Sequence, residues 1–223
     1  GAGPRAGEGW CVVSARGRKR KDAAPTEVAD FEFYPTPREA IESLIDSPLI
    51  ALPGGHWIDP CVGSGRIPSV INAARSDIDW TLAEIDERHA PALRSVVREG
   101  RDVLLPFADF VTATWPYVER AAVLVMNPPF SHALDFVRAG FARAEIVVML
   151  QRTNWIAPTR ADWLRRHMPD VYQLPKRPSF TGDGKTDAAE YSWFVWPTRE
   201  PRRCGVVAML DNPRQGALFG EAA

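Results

Sequence analysis

The chain has 223 residues and a net charge of −1, with 45% hydrophobic and 25% charged residues. This is the balance of an ordinary globular protein, and the length suits one domain with a full core and at most a small appendage. The near-neutral total argues against a uniformly basic coat for nucleic acid, although a local basic groove is compatible with it.

Three cysteines, Cys11, Cys61 and Cys204, lie far apart and form no CxxC pair. An odd, scattered set disfavours both a disulfide framework and a zinc site and fits a reducing compartment. No apolar run in the given sequence approaches the roughly 20 residues that span a bilayer, and we expect no secretory segment. We therefore expect a cytoplasmic protein that binds no metal and no membrane, and we expect a monomer.

Residues 1–30 are rich in glycine, alanine and charge, with a basic run over residues 16–21. Such a composition predicts a flexible basic tail, and a basic arm that touches phosphates is the functional alternative. Order is expected to begin near Phe31. Thr36-Pro37-Arg38-Glu39 predicts a helix start, with Thr36 as the N-cap and Glu39 closing a capping box.

Short apolar segments then alternate with amphipathic ones along the chain. Helices are predicted after Gly65, from Glu87 to about Arg98 and over Ala133–Arg143. The strands are predicted at Trp57–Ile58, Trp80–Glu84, Leu104–Phe110, Ala121–Met126, Ile146–Leu150 and Tyr191–Trp196. Such alternation predicts an α/β fold with a mostly parallel sheet and helices on both faces. Residues 176–190 are polar and turn-rich, and they predict a loop at the edge of the sheet where ligands bind.

A glycine turn follows the first strand, in the segment Asp59-Pro60-Cys61-Val62-Gly63-Ser64-Gly65. Two glycines let a ligand approach the backbone closely, although a single Gly-x-Gly is common. The turn has neither the third glycine of the dinucleotide fingerprint nor the Lys-Ser/Thr of a phosphate loop. An acidic residue before such glycines suits a ligand with an ammonium group and an uncharged sugar.

Carboxylates also follow the next strands. Glu84, about twenty residues beyond the glycines, is placed to accept ribose hydroxyl protons, with Ile85 covering a purine face. Asp109 is placed to accept from the exocyclic amine of a cofactor adenine, and Asp102 is its rival for that role. Taken alone, Glu84 is better explained as a solvated acidic strand end, and surface solvation is an open alternative for Asp109 and Asp102.

The most specific motif is Asn127-Pro128-Pro129-Phe130, which follows the buried strand Ala121–Met126. Two prolines fix the backbone and donate no hydrogen bond, so the Asn127 oxygen and the Pro128 carbonyl become two acceptors aimed at one point. Acceptors arranged in this way hold an aromatic NH2 group and expose its lone pair. Phe130 offers a flat face on which a base stacks.

In order and combination these motifs resemble the amino-methyltransferases that methylate adenine N6 in DNA. The resemblance covers roughly residues 31–150, including Phe33-Tyr34-Pro35-Thr36-Pro37, and the late part is similar to small phage-type adenine methyltransferases. It implies a Rossmann-like class I methyltransferase fold with seven strands and S-adenosylmethionine as the cofactor. The cofactor residues that it implies are Tyr34, Thr36, Asp59, Gly63, Gly65, Glu84, Ile85 and Asp109.

The resemblance further implies an adenine-specific DNA methyltransferase with Asn127, Pro128, Pro129 and Phe130 as the catalytic residues. Phe180 is the candidate aromatic against the extruded base. The methyltransferase domain is expected over residues 31–200, with a minimal target-recognition element at 151–190 and a C-terminal extension at 201–223. Further substrate contacts are expected from Arg152, Lys176 and Arg177. The setting is a bacterial host or a phage, in a restriction-modification pair or on its own.

Four alternatives stay open at this point. Similar Asn-Pro-Pro-aromatic motifs serve enzymes that methylate RNA adenine, RNA guanine or a protein glutamine. A catalytically inactive nucleic-acid-binding module is the alternative from another class, and it predicts binding without turnover. The four histidines show no ligand spacing and are interpreted as bystanders.

Overall fold

The computed structural model describes residues 34–106, 108–114, 119–180, 186, 188–199, 202 and 204–212. The predicted basic tail of residues 1–30 and Phe33 of the N-terminal motif lie outside the described residues. Residues 213–223 of the predicted C-terminal extension also lie outside them. In the part of the chain that is described, no helix is long and apolar enough to cross a membrane.

One mixed sheet organises the fold. Its neighbouring strands run in the order β3-β2-β1-β4-β5-β7-β6-β8. The first five strands in this order are parallel, β7 is antiparallel to both β5 and β6, and β8 is parallel to β6. The strand bounds are Gly55–Asp59, Ile78–Glu84, Val103–Pro106, Ala121–Met126, Ala144–Arg152, Asp170–Gln173, Tyr191–Pro197 and Val207–Met209 for β1 to β8.

The helices cover both faces of the sheet, as the alternating pattern predicted. Apolar side chains of α1, α2 and α3 enter the core on one face, and those of α4 and α5 enter the core on the other. The helix bounds are Arg38–Ile45, Arg66–Ala74, Ala90–Leu93, Ala133–Arg143 and Ala161–Leu164 for α1 to α5. The α/β fold is therefore confirmed.

The sheet has one strand more than the seven expected. Strand β8 lies beyond residue 200, where we placed the end of the methyltransferase domain, and Leu210 just after it is only 2% exposed. The described residues 204–212 thus belong in part to the same sheet and core. A three-residue strand is too short to show a hydrophobic period, which is why the sequence did not reveal it.

Two predicted elements are shorter than expected. In place of a helix from Glu87 to Arg98, a 3-10 turn at Glu87–His89 precedes the four-residue α3. Pro91 lies in the first turn of α3 and has no N–H to donate to the Glu87 carbonyl, which explains why the 3-10 turn and α3 do not form one helix. Strand β3 ends at Pro106 rather than at Phe110, and the chain then turns so that Phe110 is buried with 2% exposure.

Candidate active site

The ends of β1 and β4 lie side by side in the middle of the sheet. From β1 the chain turns outward to β2 and β3, and it then returns to β4 on the other side of β1. Trp57 of β1 accordingly pairs with Trp80 on one side and with Val123 on the other. Open α/β sheets bind ligands beyond the carboxyl ends of the strands at such a reversal. The glycine turn and Asn127 therefore meet at this point.

A cavity of about 420 Å³ lies at this reversal, and we call it the central cavity. Asn127 and Pro129 line it, whereas Pro128 and Phe130 do not. Asp59 and Gly65 are also absent from its wall. The predicted cofactor residues that line it are Tyr34, Thr36, Gly63, Glu84, Ile85 and Asp109. Most of the predicted cofactor residues therefore lie around the central cavity.

Glu84, at the end of β2, is hydrogen-bonded to the backbone of the glycine turn. Its Oε2 accepts a hydrogen bond from the Gly63 N–H at 2.6 Å, and its Oε1 accepts from the Asp86 N–H at 2.8 Å. A carboxylate offers about four acceptor positions, so two remain for the hydroxyl groups of a ligand. Ile85 is 45% exposed beside it and offers an apolar face to the cavity.

Asp59 lies behind the cavity wall and is 1% exposed. Its Oδ1 accepts from the Cys61 N–H at 3.3 Å, and its Oδ2 has no partner among the described residues. Burial, aided by the negative charge of Glu84, raises the pKa of Asp59 to about 8. Asp59 is therefore mostly protonated at neutral pH, and a cationic group placed at its Oδ2 would favour the ionised form.

Gly65 serves packing as well as turn geometry. Its φ is +82°, a region that side chains rarely adopt, and an added Cβ would lie 2.7 Å from Cγ2 of Val96. The start of α2 therefore sits against Val96 without room for a methyl group. The described geometry gives Gly65 this packing role and no place in the wall of the central cavity.

The choice between Asp109 and Asp102 follows from their surroundings. The Asp102 side chain is fully buried and is bound by the Arg98 guanidinium and by the Trp80 N–H, outside the cavity wall. Asp109 lines the cavity and accepts from the Thr112 hydroxyl at 2.6 Å. That hydroxyl holds the pKa of Asp109 below its ordinary value. Of the two carboxylates, only Asp109 is placed to meet a ligand.

Asn127 is oriented by the segment before α1. Its Nδ2 donates to the Tyr34 carbonyl at 3.0 Å and to the Thr36 hydroxyl at 3.2 Å. With both N–H directions used, its Oδ1 is left as an acceptor with no donor among the described residues. The prediction of Thr36 as the N-cap is wrong, because Pro37 occupies that position and no side chain caps α1. The Thr36 hydroxyl accepts from Asn127 instead.

Four aromatic side chains form a contact ring next to Asn127, and we call them the aromatic quartet: Tyr34, Phe130, Phe180 and Tyr191. Tyr34 stacks on Phe130 with ring centroids 5.6 Å apart and an angle of 7° between the planes. Phe180 contacts Tyr34 and Tyr191, at 6.0 Å and 4.9 Å between centroids. Since Tyr34 also lines the central cavity, the quartet and the cavity share a wall.

Arg152 contacts two members of the quartet, Phe130 and Tyr191. Tyr191 was not identified as a site residue from the sequence. The Arg152 guanidinium sits 4.8 Å from the centre of the Phe130 ring, and its Nε donates to the Tyr191 hydroxyl at 3.3 Å. Residues 152 and 191 are direct partners in the β5–β7 ladder. Lys176 and Arg177 lie elsewhere, against α1 at a second cavity.

Two histidines interpreted as bystanders, His89 and His132, line the central cavity. His89 Nε2 is 3.9 Å from a carboxylate oxygen of Asp86, and His132 Nδ1 is 4.0 Å from one of Asp135. Over the residues that the structure describes, no three or more His, Cys, Asp or Glu side chains group as metal ligands would. Sequence gave no signal for the two histidines because their partners lie only three residues away, a common spacing.

Comparisons with known proteins place the fold. No family model matches the chain, and no curated protein matches it. Among solved structures, it resembles a type I restriction-modification methyltransferase subunit from Streptococcus thermophilus at 15% identity and a TM-score of 0.60. The match covers 79% of this chain and 47% of that one, so the chain spans about half the length of that subunit.

Two further structures share this architecture. The 23S rRNA methyltransferase ErmE is 18% identical with a TM-score of 0.55, and the match covers 76% of this chain and 71% of that one. A predicted O-methyltransferase from Agrobacterium tumefaciens is 17% identical with a TM-score of 0.54, over 77% and 84% of the two chains. The chain therefore has the Rossmann-like fold of methyltransferases. S-adenosylmethionine is the cofactor that this fold leads us to expect.

Proposed function

We propose that the protein transfers a methyl group from S-adenosylmethionine to the N6 amine of an adenine taken out of the DNA stack. The orientation of Asn127 carries this proposal. Its Nδ2 is held by Tyr34 and Thr36, so its Oδ1 is left to accept from a substrate amine. A pre-set acceptor needs no reorganisation during the reaction and therefore favours the transition state.

The side chains around the central cavity suit the parts of this cofactor. Asp59, behind the cavity wall, has an unpaired side-chain oxygen that a nearby ammonium group would favour in its ionised form, and Glu84 in the wall keeps two acceptor positions for the ribose hydroxyls. Ile85 offers an apolar face for the adenine ring, and Asp109 offers an acceptor for its amine. When bound, the cofactor supplies an electrophilic methyl carbon on a sulfonium, which makes a metal unnecessary.

The reaction requires little acid–base chemistry from the protein. Asn127 Oδ1 and the Pro128 carbonyl accept from the two N6 protons and direct the nitrogen lone pair to the methyl carbon. Bound S-adenosylmethionine would supply the methyl carbon for the new C–N bond and its sulfur would keep the electrons of the S–C bond, while one N6 proton would pass to water. Placement of the two groups supplies most of the rate enhancement, and a strong general base is not needed.

The aromatic quartet supports a base as the acceptor. An enzyme that modifies N6 must take the base out of the stack, and aromatic side chains compensate for the lost stacking. Phe130 directly follows the two prolines, and Arg152 and Tyr34 both contact its ring. The Phe-Tyr-Pro-Thr-Pro motif favours DNA over RNA in this proposal.

A direct experiment separates the substrates. Labelled S-adenosylmethionine is supplied with DNA, RNA and protein side by side, and the labelled product is digested and identified. We expect label in DNA as N6-methyladenine. Label confined to RNA or protein would overturn the choice of substrate, and nucleic-acid binding without any label would favour the inactive binding module.

A further inference from the structure

A second cavity of about 270 Å³ lies between the start of α1 and the segment after β6, and we call it the flanking groove. It does not share its lining with the central cavity. The residues of the groove that the argument uses are Pro37, Pro175, Lys176, Arg177, Pro178 and Ser179. We propose that the flanking groove binds the nucleotide next to the target base, with Lys176 at its phosphate. This inference rests on the proposed function.

Chain connectivity places the flanking groove beside the aromatic quartet. Ser179 in the groove directly precedes Phe180 of the quartet. On the other side, Pro37 in the groove directly follows Thr36, whose hydroxyl holds Asn127. Successive Cα atoms are about 3.8 Å apart, so the groove begins one residue from the quartet, and we infer that the nucleotide next to a base held at the quartet can reach it.

Two cations, Lys176 and Arg177, outnumber the one carboxylate, Glu39, in the lining of the groove, and this excess of positive charge suits a phosphate. Lys176 is exposed and makes no ion pair with any described residue, so its ammonium is available to a ligand. Arg177 adds a second cation, which pairs with Glu190 at 2.6 Å. Phosphate contacts from lysine and arginine position a nucleic acid without reading its sequence. We therefore assign Lys176 the phosphate and Arg177 a supporting role.

The wall of the groove suits a base or sugar. Pro37, Pro175 and Pro178 give it rigid apolar surfaces that donate no hydrogen bond. The Ser179 hydroxyl is buried and has no hydrogen-bond partner among the described residues. Buried hydroxyl groups are normally paired, so a polar edge of the ligand is the partner we infer for Ser179. Because the Ser179 hydroxyl is the polar group among these prolines, a hydrogen bond to it would favour bases with a matching polar edge.

The test uses the whole protein and two variants, Lys176→Glu and Ser179→Leu. Arg166→Glu is the matched control, because Arg166 is exposed and lies before β6, at the end of the sheet opposite the groove. Affinity for a labelled single-stranded nonanucleotide with one adenine is measured against salt concentration. Affinity for S-adenosylhomocysteine shows whether each variant is folded.

We expect Lys176→Glu to weaken oligonucleotide binding about 10-fold and to reduce the salt slope of log Kd by about 0.7, the value for one lost phosphate contact on a single strand. We expect Ser179→Leu to change the base preference beside the methylated adenine in a randomised pool. Arg166→Glu should change neither, and S-adenosylhomocysteine should bind all three proteins normally.

The two proposals fail in different ways. If the wild-type protein methylates nucleic acid but Lys176→Glu keeps its affinity and salt slope, the flanking groove is refuted and the proposed function stands. An unchanged base preference in a folded Ser179→Leu variant would refute the discriminating role of that residue. A wild-type protein that neither binds nor methylates nucleic acid would refute both proposals.

Discussion

At the scale of single residues, Asn127 has the sharpest predicted effect. Asn127→Ala removes the acceptor for the substrate amine, and we expect kcat to fall by roughly 100-fold or more, as for other lost transition-state contacts. Asn127 only borders the cofactor space, so affinity for S-adenosylhomocysteine should change by less than about 3-fold. The checks are single-turnover methyl transfer and calorimetric titration. Normal turnover in this variant would end the proposed mechanism.

Asn127→Asp tests the donor nitrogen of the side chain separately from its acceptor oxygen. It keeps an acceptor oxygen but loses the Nδ2 that donates to the Tyr34 carbonyl and the Thr36 hydroxyl. We expect it to be impaired as well, because the segment before α1 then no longer fixes the side chain. Full activity of this variant would mean that the two bonds from Nδ2 have no part in orienting the acceptor.

The raised pKa of Asp59 predicts that the free energy of unfolding depends on pH. Its pKa of about 8 in the folded protein lies above the ordinary value of 3.8, so the folded state binds the extra proton between those limits. Its contribution to the free energy of unfolding is therefore complete below about pH 4 and is lost as the pH rises to about 8, by up to about 1.4 kcal/mol per pH unit. Denaturant titrations between pH 5 and pH 9 measure it.

Asp59→Asn is the control for that titration. An amide does not ionise, so the difference in stability between wild type and variant should change across this pH range and level off above it. In the proposed function the cationic end of the cofactor meets Asp59 and favours its ionised form, so binding below pH 8 should release a proton. Calorimetry in two buffers of different ionisation enthalpy measures the number of protons released on binding. Equal proton release by wild type and variant would contradict this account.

At the scale of elements, the turn into α2 depends on Gly65. Gly65→Ala forces a side chain into a φ of +82° and into contact with Val96. We expect a loss of about 3 kcal/mol, combining roughly 1 kcal/mol of backbone strain with the cost of overpacking. Thermal or chemical unfolding measures this loss.

Gly100→Ala is the matched control for the backbone part of that loss. Gly100 has a similar φ of +75°, but nothing lies within 4 Å of an added Cβ. We expect this change to cost only about 1 kcal/mol. Adding Val96→Ala to Gly65→Ala should then recover part of the larger loss. If the two glycine variants were equally unstable, the contact with Val96 would have no energetic role.

Elements of ordinary length were predictable because their apolar spacing is long enough to show a period. Helix α4 has the bounds that the sequence predicted, and β4 is the apolar run that precedes Asn127. The four-residue β6 and three-residue β8 carry too few residues for a period. Thr36 was misread for a different reason, since a local capping pattern cannot reveal that a distant Asn127 uses the same hydroxyl.

At the scale of the whole molecule, the site depends on a strand order that periodicity does not encode. Local patterns placed a glycine turn after β1 and an asparagine after β4. Only the position of β1 between β2 and β4 makes them neighbours. The alternation of strands and helices predicted only that both turns lie at the carboxyl edge of the sheet, and the resemblance assigned Glu84 and Asp109 to the same site. Tyr191 was missed because its contact with Arg152 arises from the pairing of β5 with β7.

The extent of the folded unit gives the last prediction. Leu210 is 2% exposed and packs in the same core as α1 and α2, although it lies ten residues past the boundary expected at 200. We expect Leu210→Ala to lower the free energy of unfolding by about 3 kcal/mol, the usual cost of removing a buried leucine side chain. Val207→Ala is the control, because Val207 is 74% exposed in β8, and this substitution should cost less than about 0.5 kcal/mol.

Truncation after residue 200 should be more severe than Leu210→Ala, because it also removes Arg202. The Arg202 guanidinium pairs with Asp170 at the start of β6, and the Arg202 carbonyl accepts from the Met168 N–H. Without these groups and β8, one side of β6 has unpaired backbone groups. We expect an aggregation-prone protein with weakened affinity for S-adenosylhomocysteine. A truncated chain as stable as the full one would show that residues 201–223 are a dispensable extension.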